Sequence, residues 1–270
     1  MTVNMERQPV IFLPHGGGPC FFMDWTWGPA DTWNATKRFL EGLAATLPAL
    51  PKAMVVVSGH WEEPAFTASA AAQPQLIFDY SGFPEHTYRL TWPAPGEPEL
   101  ARQVVELLGQ AGLPAALSAN RGFDHGVFVP LKVAFPEACI PVVSLSLAAS
   151  LDPALHLAAG RALAPLRDQG VLIAASGMSF HNLRAYMRPE TLDRARAFDA
   201  WLTAAIESAP SERDTLLANW RRAPYAAFSH PREEHLIPLM VAAGAGGEAP
   251  GKRIFTDEPM GAAISAYRFD

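Results

Sequence analysis

The chain has 270 residues, 49% hydrophobic and 18% charged, a composition that excludes a disordered chain and suffices for one sizeable core. No unbroken apolar run approaches the ~20 residues of a membrane span, and a formal charge of -6 with acids and bases interleaved leaves no basic stripe for a phosphate backbone. Neither membrane nor nucleic acid is therefore an expected partner. Cys20 and Cys139 supply neither a disulfide framework nor a CxxC metal pair, and the N-terminal MTVNMERQPV lacks the charged-then-apolar order of a signal peptide, so the expected compartment is cytoplasmic. The 25 prolines are about twice the usual share and predict many fixed turns and short elements.

In chain order, Pro9 to Leu13 is a short apolar run stopped by Pro14-His15-Gly16-Gly17-Gly18-Pro19, which reads as a buried strand delivering a histidine into a glycine-rich loop. A first amphipathic helix is expected over Thr32 to Thr46. Met54 to Ser58 is a second buried strand, running into a loop at Gly59-His60-Trp61-Glu62. The proline-punctuated stretch from Phe66 to Pro98 reads as an irregular excursion, and Pro98 to Ala111 as a helix. Strands are expected over Ile140 to Leu145 and Val171 to Ala175, the latter leading to Ser176-Gly177-Met178-Ser179-Phe180-His181. Helices are expected over Asp152 to Arg167 and Thr191 to Ser208. Pro231 and the acids Glu233 and Glu234 suit the start of a helix over 233–243, which places His235 in its first turn. Ala242 to Gly251 reads as a flexible Ala/Gly-rich loop before final strands around Arg253 to Thr256 and Ile264 to Phe269. The alternation predicts an α/β fold: a central mixed β-sheet flanked by helices, residues 1–270 forming a single catalytic domain.

Ligands of open α/β sheets bind beyond the carboxyl ends of strands, and His15, His60 and His181 each come after one. With His235 they make a set that a metal explains, since neutral imidazole is a common ligand and open sites use three protein ligands. Each histidine alone reads more readily as a hydrogen-bonded structural residue than as a ligand, and the four together reverse that preference. His125 is a candidate substrate contact or loop brace, His230 a cap or pocket residue, and His86 and His156 surface or packing residues. Gly16 to Gly18 either let the backbone approach a bound ligand or form a tight turn. Competing signatures are weak. Around Ser179 the GxSxG pattern fails at its last position, His60-Trp61-Glu62 lacks the PCxxC of a zinc deaminase, and no phosphate-binding glycine loop is present.

Five blocks carry a resemblance: Phe12 to Pro19, Ser58 to Glu62, Asp124 to Leu131, Gly177 to Leu183, and His230 to Leu239. In this order they resemble the class III extradiol ring-cleavage dioxygenases, and most closely the 4,5-DOPA dioxygenase branch. The resemblance implies that His15, His60 and His235 hold a divalent metal, that His181 stands beside it as acid/base or further ligand, and that His125 touches a substrate hydroxyl. It implies Fe(II) for activity, with Zn(II) fitting the same three-histidine set. Other class III enzymes use two histidines and a glutamate, and here His235 stands where that glutamate would be. Phe128 stands where the branch often has a tryptophan. Glu62, Glu233 and Glu234 are spare carboxylates near the ligands, while Trp61, Arg184 and Arg232 receive no assigned role.

The implied reaction is insertion of O₂ into a catechol-type ring, DOPA-like substrates included, with a metal-bound catecholate and His181 exchanging the proton. The implied partners are a small aromatic diol and O₂, for a monomer or small homo-oligomer. The alternative is a zinc hydrolase in which the same three histidines activate water and Glu62 or His181 serves as base. A metal-bearing binding protein without turnover is a third reading.

Overall fold

The computed structural model describes residues 6–270. Residues 1–5, part of the N-terminal stretch expected to carry no signal peptide, lie outside the described residues. The first half runs β1 (Val10–Pro14), α1 (Asn34–Gly42), β2 (Ala53–Glu63), β3 (Phe66–Ser69), α2 (Pro98–Gln110), β4 (Ala115–Ser118) and α3 (His125–Ala134). The second half runs β5 (Val142–Ala148), α4 (Pro153–Leu163), β6 (Val171–Gly177), α5 (Thr191–Glu207), α6 (Pro210–Ala218), α7 (Ala226–Ser229), α8 (Ile237–Gly246), β7 (Lys252–Asp257) and β8 (Ile264–Phe269). All eight strands join one mixed sheet in the order β4-β3-β5-β2-β6-β1-β8-β7. Its centre, β5-β2-β6-β1, is parallel; β3 joins β5 and β8 joins β1 antiparallel. No helix among the described residues is long and apolar enough to cross a membrane.

The central strands are unbroken apolar runs because both faces are covered. Val10, Phe12, Val55, Val57 and Ile173 face one core, shared with α2, α4, α5 and α8. Ile11, Leu13, Met54, Val56 and Leu172 face the other, shared with α1 and α3. Alternation of side chains along each strand thus feeds two cores at once.

Several expectations are corrected. β2 does not stop at Ser58 but continues to Glu63 through a register shift against β5 between Val57 and Glu62, so His60 lies within a strand and not in a loop. The helix expected over 233–243 begins only at Ile237, where Pro238 fills the early position a proline tolerates. His235 therefore precedes α8 in a turn. Ala242 to Gly246 are helical and buried, not a flexible loop, because their small size lets α8 press on α4: a Cβ at Gly160 would lie 2.1 Å from the Val241 carbonyl oxygen. The excursion after Phe66 begins with β3, which is part of the main sheet. Pro165 ends α4 early, and Ala164–Gln169 tightens into a 3₁₀ turn.

That turn carries Arg167, fully buried. Its guanidinium donates to the carbonyls of Gln8 at 2.8 Å, Ala245 at 3.0 Å, Gly246 at 3.3 Å and Phe269 at 3.4 Å, joining the end of α8 to β8 and the lead into β1. Arg167→Met leaves those carbonyls without their charged donor and is expected to cost about 3–4 kcal/mol in urea unfolding. A loss within experimental error would show that the clasp carries no net stability.

Candidate metal centre

Because β2, β6 and β1 are parallel neighbours, their carboxyl ends open onto the same edge of the sheet. His15 directly follows Pro14, His60 lies on the extension of β2, and His181 lies four residues beyond Gly177. His235 comes from a distant part of the chain, pinned across these ends by the Met178 N–H donating to its carbonyl at 2.9 Å. The crossing needs a glycine: a Cβ on Gly177 would sit 2.2 Å from that carbonyl oxygen.

The Nε2 atoms of His15 and His235 lie 3.3 Å and 3.1 Å from that of His60, and the three form one potential metal-holding group. Nδ1–H of His15 donates to the Gly16 carbonyl at 2.9 Å, and Nδ1–H of His235 to Glu234 Oε1 at 2.9 Å. With the proton on Nδ1, Nε2 carries a lone pair, so these rings aim lone pairs at one point. Burial, reinforced by the neighbouring imidazoles, holds the pKa of His15 and His235 well below the usual value. Burial also brings His60 down to about 3, despite the opposing effect of Asp79. Neutral imidazoles with converging lone pairs repel one another unless a cation lies between them, so the donor set fits a metal.

Two carboxylates brace this group. Asp79 accepts from His125 Nδ1 and from the His125 N–H, at 2.8 and 2.9 Å, and its other oxygen is 3.4 Å from His60 Nδ1. Burial opposes the Asp79 charge, yet the His125 bonds hold its carboxyl down to about 2. Glu234 Oε1 bonds His235 and lies 3.4 Å from Nδ1 of His181, whose ring stacks on His235 with centroids 3.5 Å apart. Burial opposes the charge of Glu234 too, and the hydrogen bond from His181 keeps its pKa below the ordinary carboxyl value. Each carboxylate therefore supports one histidine of the Nε2 group and one beside it. Behind them, buried Asp124 caps α3 and accepts from Ser58 Oγ at 2.7 Å, and Ser58 Oγ accepts the His60 N–H at 3.1 Å. Sequence reading missed Asp79, which sits in the irregular excursion, and left Glu234 as a spare acid. Asp79→Ala is expected to weaken divalent metal binding about 10- to 100-fold with the fold intact, read by metal titration. Unchanged affinity would reduce Asp79 to a brace for His125 alone.

The histidines floor a cavity of about 530 Å³, within the size range of small-molecule sites. His15, His60, His125, His181 and His235 all line it, with Gly16 to Gly18 on one side. Gly16 and Gly18 have φ of +84° and +57°, so the loop both needs glycines for its turn and faces the cavity.

Residues 9–269 match the family described as the catalytic LigB subunit of aromatic ring-opening dioxygenase. The chain belongs to this family. It is 38% identical to a dioxygenase, tasH, of Hapsidospora irregularis over 98% of this chain and 86% of that protein. It is 37% identical to the 4,5-DOPA dioxygenase extradiol of Beta vulgaris over 88% and 91%. A crystal structure of an uncharacterized Escherichia coli K12 protein superposes with a TM-score of 0.78 at 32% identity, covering 98% of this chain and all of that one. The resemblance carried by the five blocks therefore holds, and the protein is an extradiol ring-opening dioxygenase of a metal-dependent family.

The remaining residues singled out in this dioxygenase lie outside the cavity. Phe128 is buried behind Tyr80 and does not line the cavity. Trp61 donates to Glu63 and lies under Arg121. Glu62 is held by both terminal nitrogens of Arg232, at 2.6 and 2.5 Å, and does not line the cavity, which disfavours it as the base of a hydrolase. Glu233 pairs with Arg221, and Arg184 is exposed. Ser179 Oγ accepts the Ser265 N–H, and buried His230 donates to the Ser179 carbonyl, so both are structural. His156 is a buried packing residue bonded to Asp152, and His86 a surface one bonded to Phe22.

Proposed function

We propose that His15, His60 and His235 hold Fe(II) through Nε2 and that the cavity above them takes a catechol, with His181 as acid/base and His125 as the contact to a substrate hydroxyl. The observation that carries this reading is the convergence of three Nε2 atoms, two of them fixed as lone-pair donors by the bonds of their own Nδ1. When bound, the metal supplies the redox chemistry toward O₂ and the Lewis acidity that favours the catecholate. Zn(II) suits the same donors without that redox chemistry.

The chain's own residues handle geometry and protons. With Nδ1 turned to Glu234, His181 presents Nε2 as an acceptor for a phenolic proton and can return it after the ring opens. His125, with Nδ1–H bonded to Asp79, likewise offers Nε2 to the second hydroxyl. The apolar walls exclude water from the reacting ring. DOPA, named for the Beta vulgaris relative, enters as one member of a catechol panel.

Apoprotein reconstituted anaerobically with Fe(II) or, separately, Zn(II), then mixed with aerated catechols, tests the reading. Stoichiometric O₂ uptake with a yellow ring-opened product in the iron sample alone is expected. Turnover that depends on zinc, or ester and amide hydrolysis without O₂ uptake, would overturn it.

A further inference from the structure

Among the described residues, the cavity walls above the histidines contain no lysine, arginine, aspartate or glutamate. They are built from tryptophans, Phe83, Tyr80, Tyr186 and methionines, and the polar atoms of most are already used. Tyr80 donates its hydroxyl to the Thr87 carbonyl at 2.7 Å, Tyr186 to Phe180 at 3.2 Å, and the Trp25 indole to Trp27 at 3.1 Å. Apart from the histidines, the polar side chains there without such a bond, among the described residues, are the Ser81 hydroxyl and the indoles of Trp27 and Trp33, the last buried without a partner. Three of the six exposed large hydrophobic side chains of the described residues, Trp27, Leu183 and Met187, stand at this cavity. Asp79 and Glu234, the nearest carboxylates, are engaged by the histidines of the floor, and Arg188, Asp31 and Glu258 line the adjoining groove beyond Trp27, Met187 and Met260.

A catechol bearing a carboxylate or a zwitterionic side chain would bring charge against these walls without a partner, which costs far more than leaving that charge in water. An alkyl or aryl substituent would instead cover apolar surface that is otherwise solvated. We infer that this dioxygenase selects catechols with an uncharged, apolar ring substituent and discriminates against charged ones. The inference rests on the ring-opening reading of the site and names the substrate class within it.

The test compares 4-tert-butylcatechol and 4-phenylcatechol with 3,4-dihydroxyphenylacetate and DOPA, using the Fe(II)-loaded protein and O₂ uptake. A kcat/KM about 30-fold higher for the neutral pair, mostly through KM, is expected. Quenching of tryptophan fluorescence in metal-free protein should rank the four compounds the same way, independently of turnover. Leu183→Arg, on the exposed rim, should narrow the gap by improving the carboxylated catechol. Equal or better ring opening of DOPA or the carboxylate overturns the inference while leaving the ring-opening reading intact. If none of the four is opened, that reading falls, and the fluorescence ranking alone decides the apolar preference: neutral ahead supports it, charged equal or ahead overturns it.

Discussion

His60→Ala is expected to yield a folded protein that retains no stoichiometric divalent metal after gel filtration and opens no catechol ring. His60 lies within 3.3 Å of both other Nε2 atoms, so its removal leaves two donors where an open catalytic site needs three. The fold should survive, because the Ser58–Asp124 network takes the backbone N–H of residue 60 and not its imidazole. Metal content by mass spectrometry and circular dichroism would report the two properties separately. A normal metal content would strike His60 from the ligand set, and His15→Ala and His235→Ala carry the same expectation.

His181→Ala should behave oppositely: full metal content, with kcat reduced about 10²- to 10⁴-fold, or roughly 3–5 kcal/mol in the barrier. The variant leaves the 2.9 Å bond between His235 and Glu234 in place, so the metal-binding set keeps its support. What disappears is the ring stacked on His235, the one proposed to receive the phenolic proton. Near-normal turnover would end the acid/base assignment, and loss of metal would make His181 a fourth ligand.

Both variants concern residues that were legible in the sequence, and the reason is physical. Buried parallel strands are continuous apolar runs, and a histidine at the end of such a run stands out. His15 and His181 are placed this way. His60 carries the same signal although its strand runs past it, and Gly59, inside the register shift after Val57, is the residue that marks the irregularity. Asp79 was not legible: it sits among prolines without periodicity, and its partner His125 is 46 residues away. The helix from His125 to Ala134 was missed because nearly every side of it is buried, which erases the amphipathic rhythm. The small residues of Ala242 to Gly246 imitate a flexible loop, and only the close passage against Gly160 and Leu157 shows why they are small.

Asp79 is followed in the chain by Tyr80 and Ser81, with Phe83 just beyond, and all three of these line the cavity. The segment whose carboxylate meets His60 and His125 is thus also a wall of the cavity. Divergence of substrate choice within this lineage cannot proceed freely there, since an insertion that reshapes the wall also displaces the carboxylate. Substitutions that leave the backbone in place, at Tyr80 or Phe83, and changes on the separate loops carrying Trp27, Leu183 and Met187 remain the tolerated routes. A directed-evolution library confined to those positions would retain more active members than one that varies the length of residues 78–83.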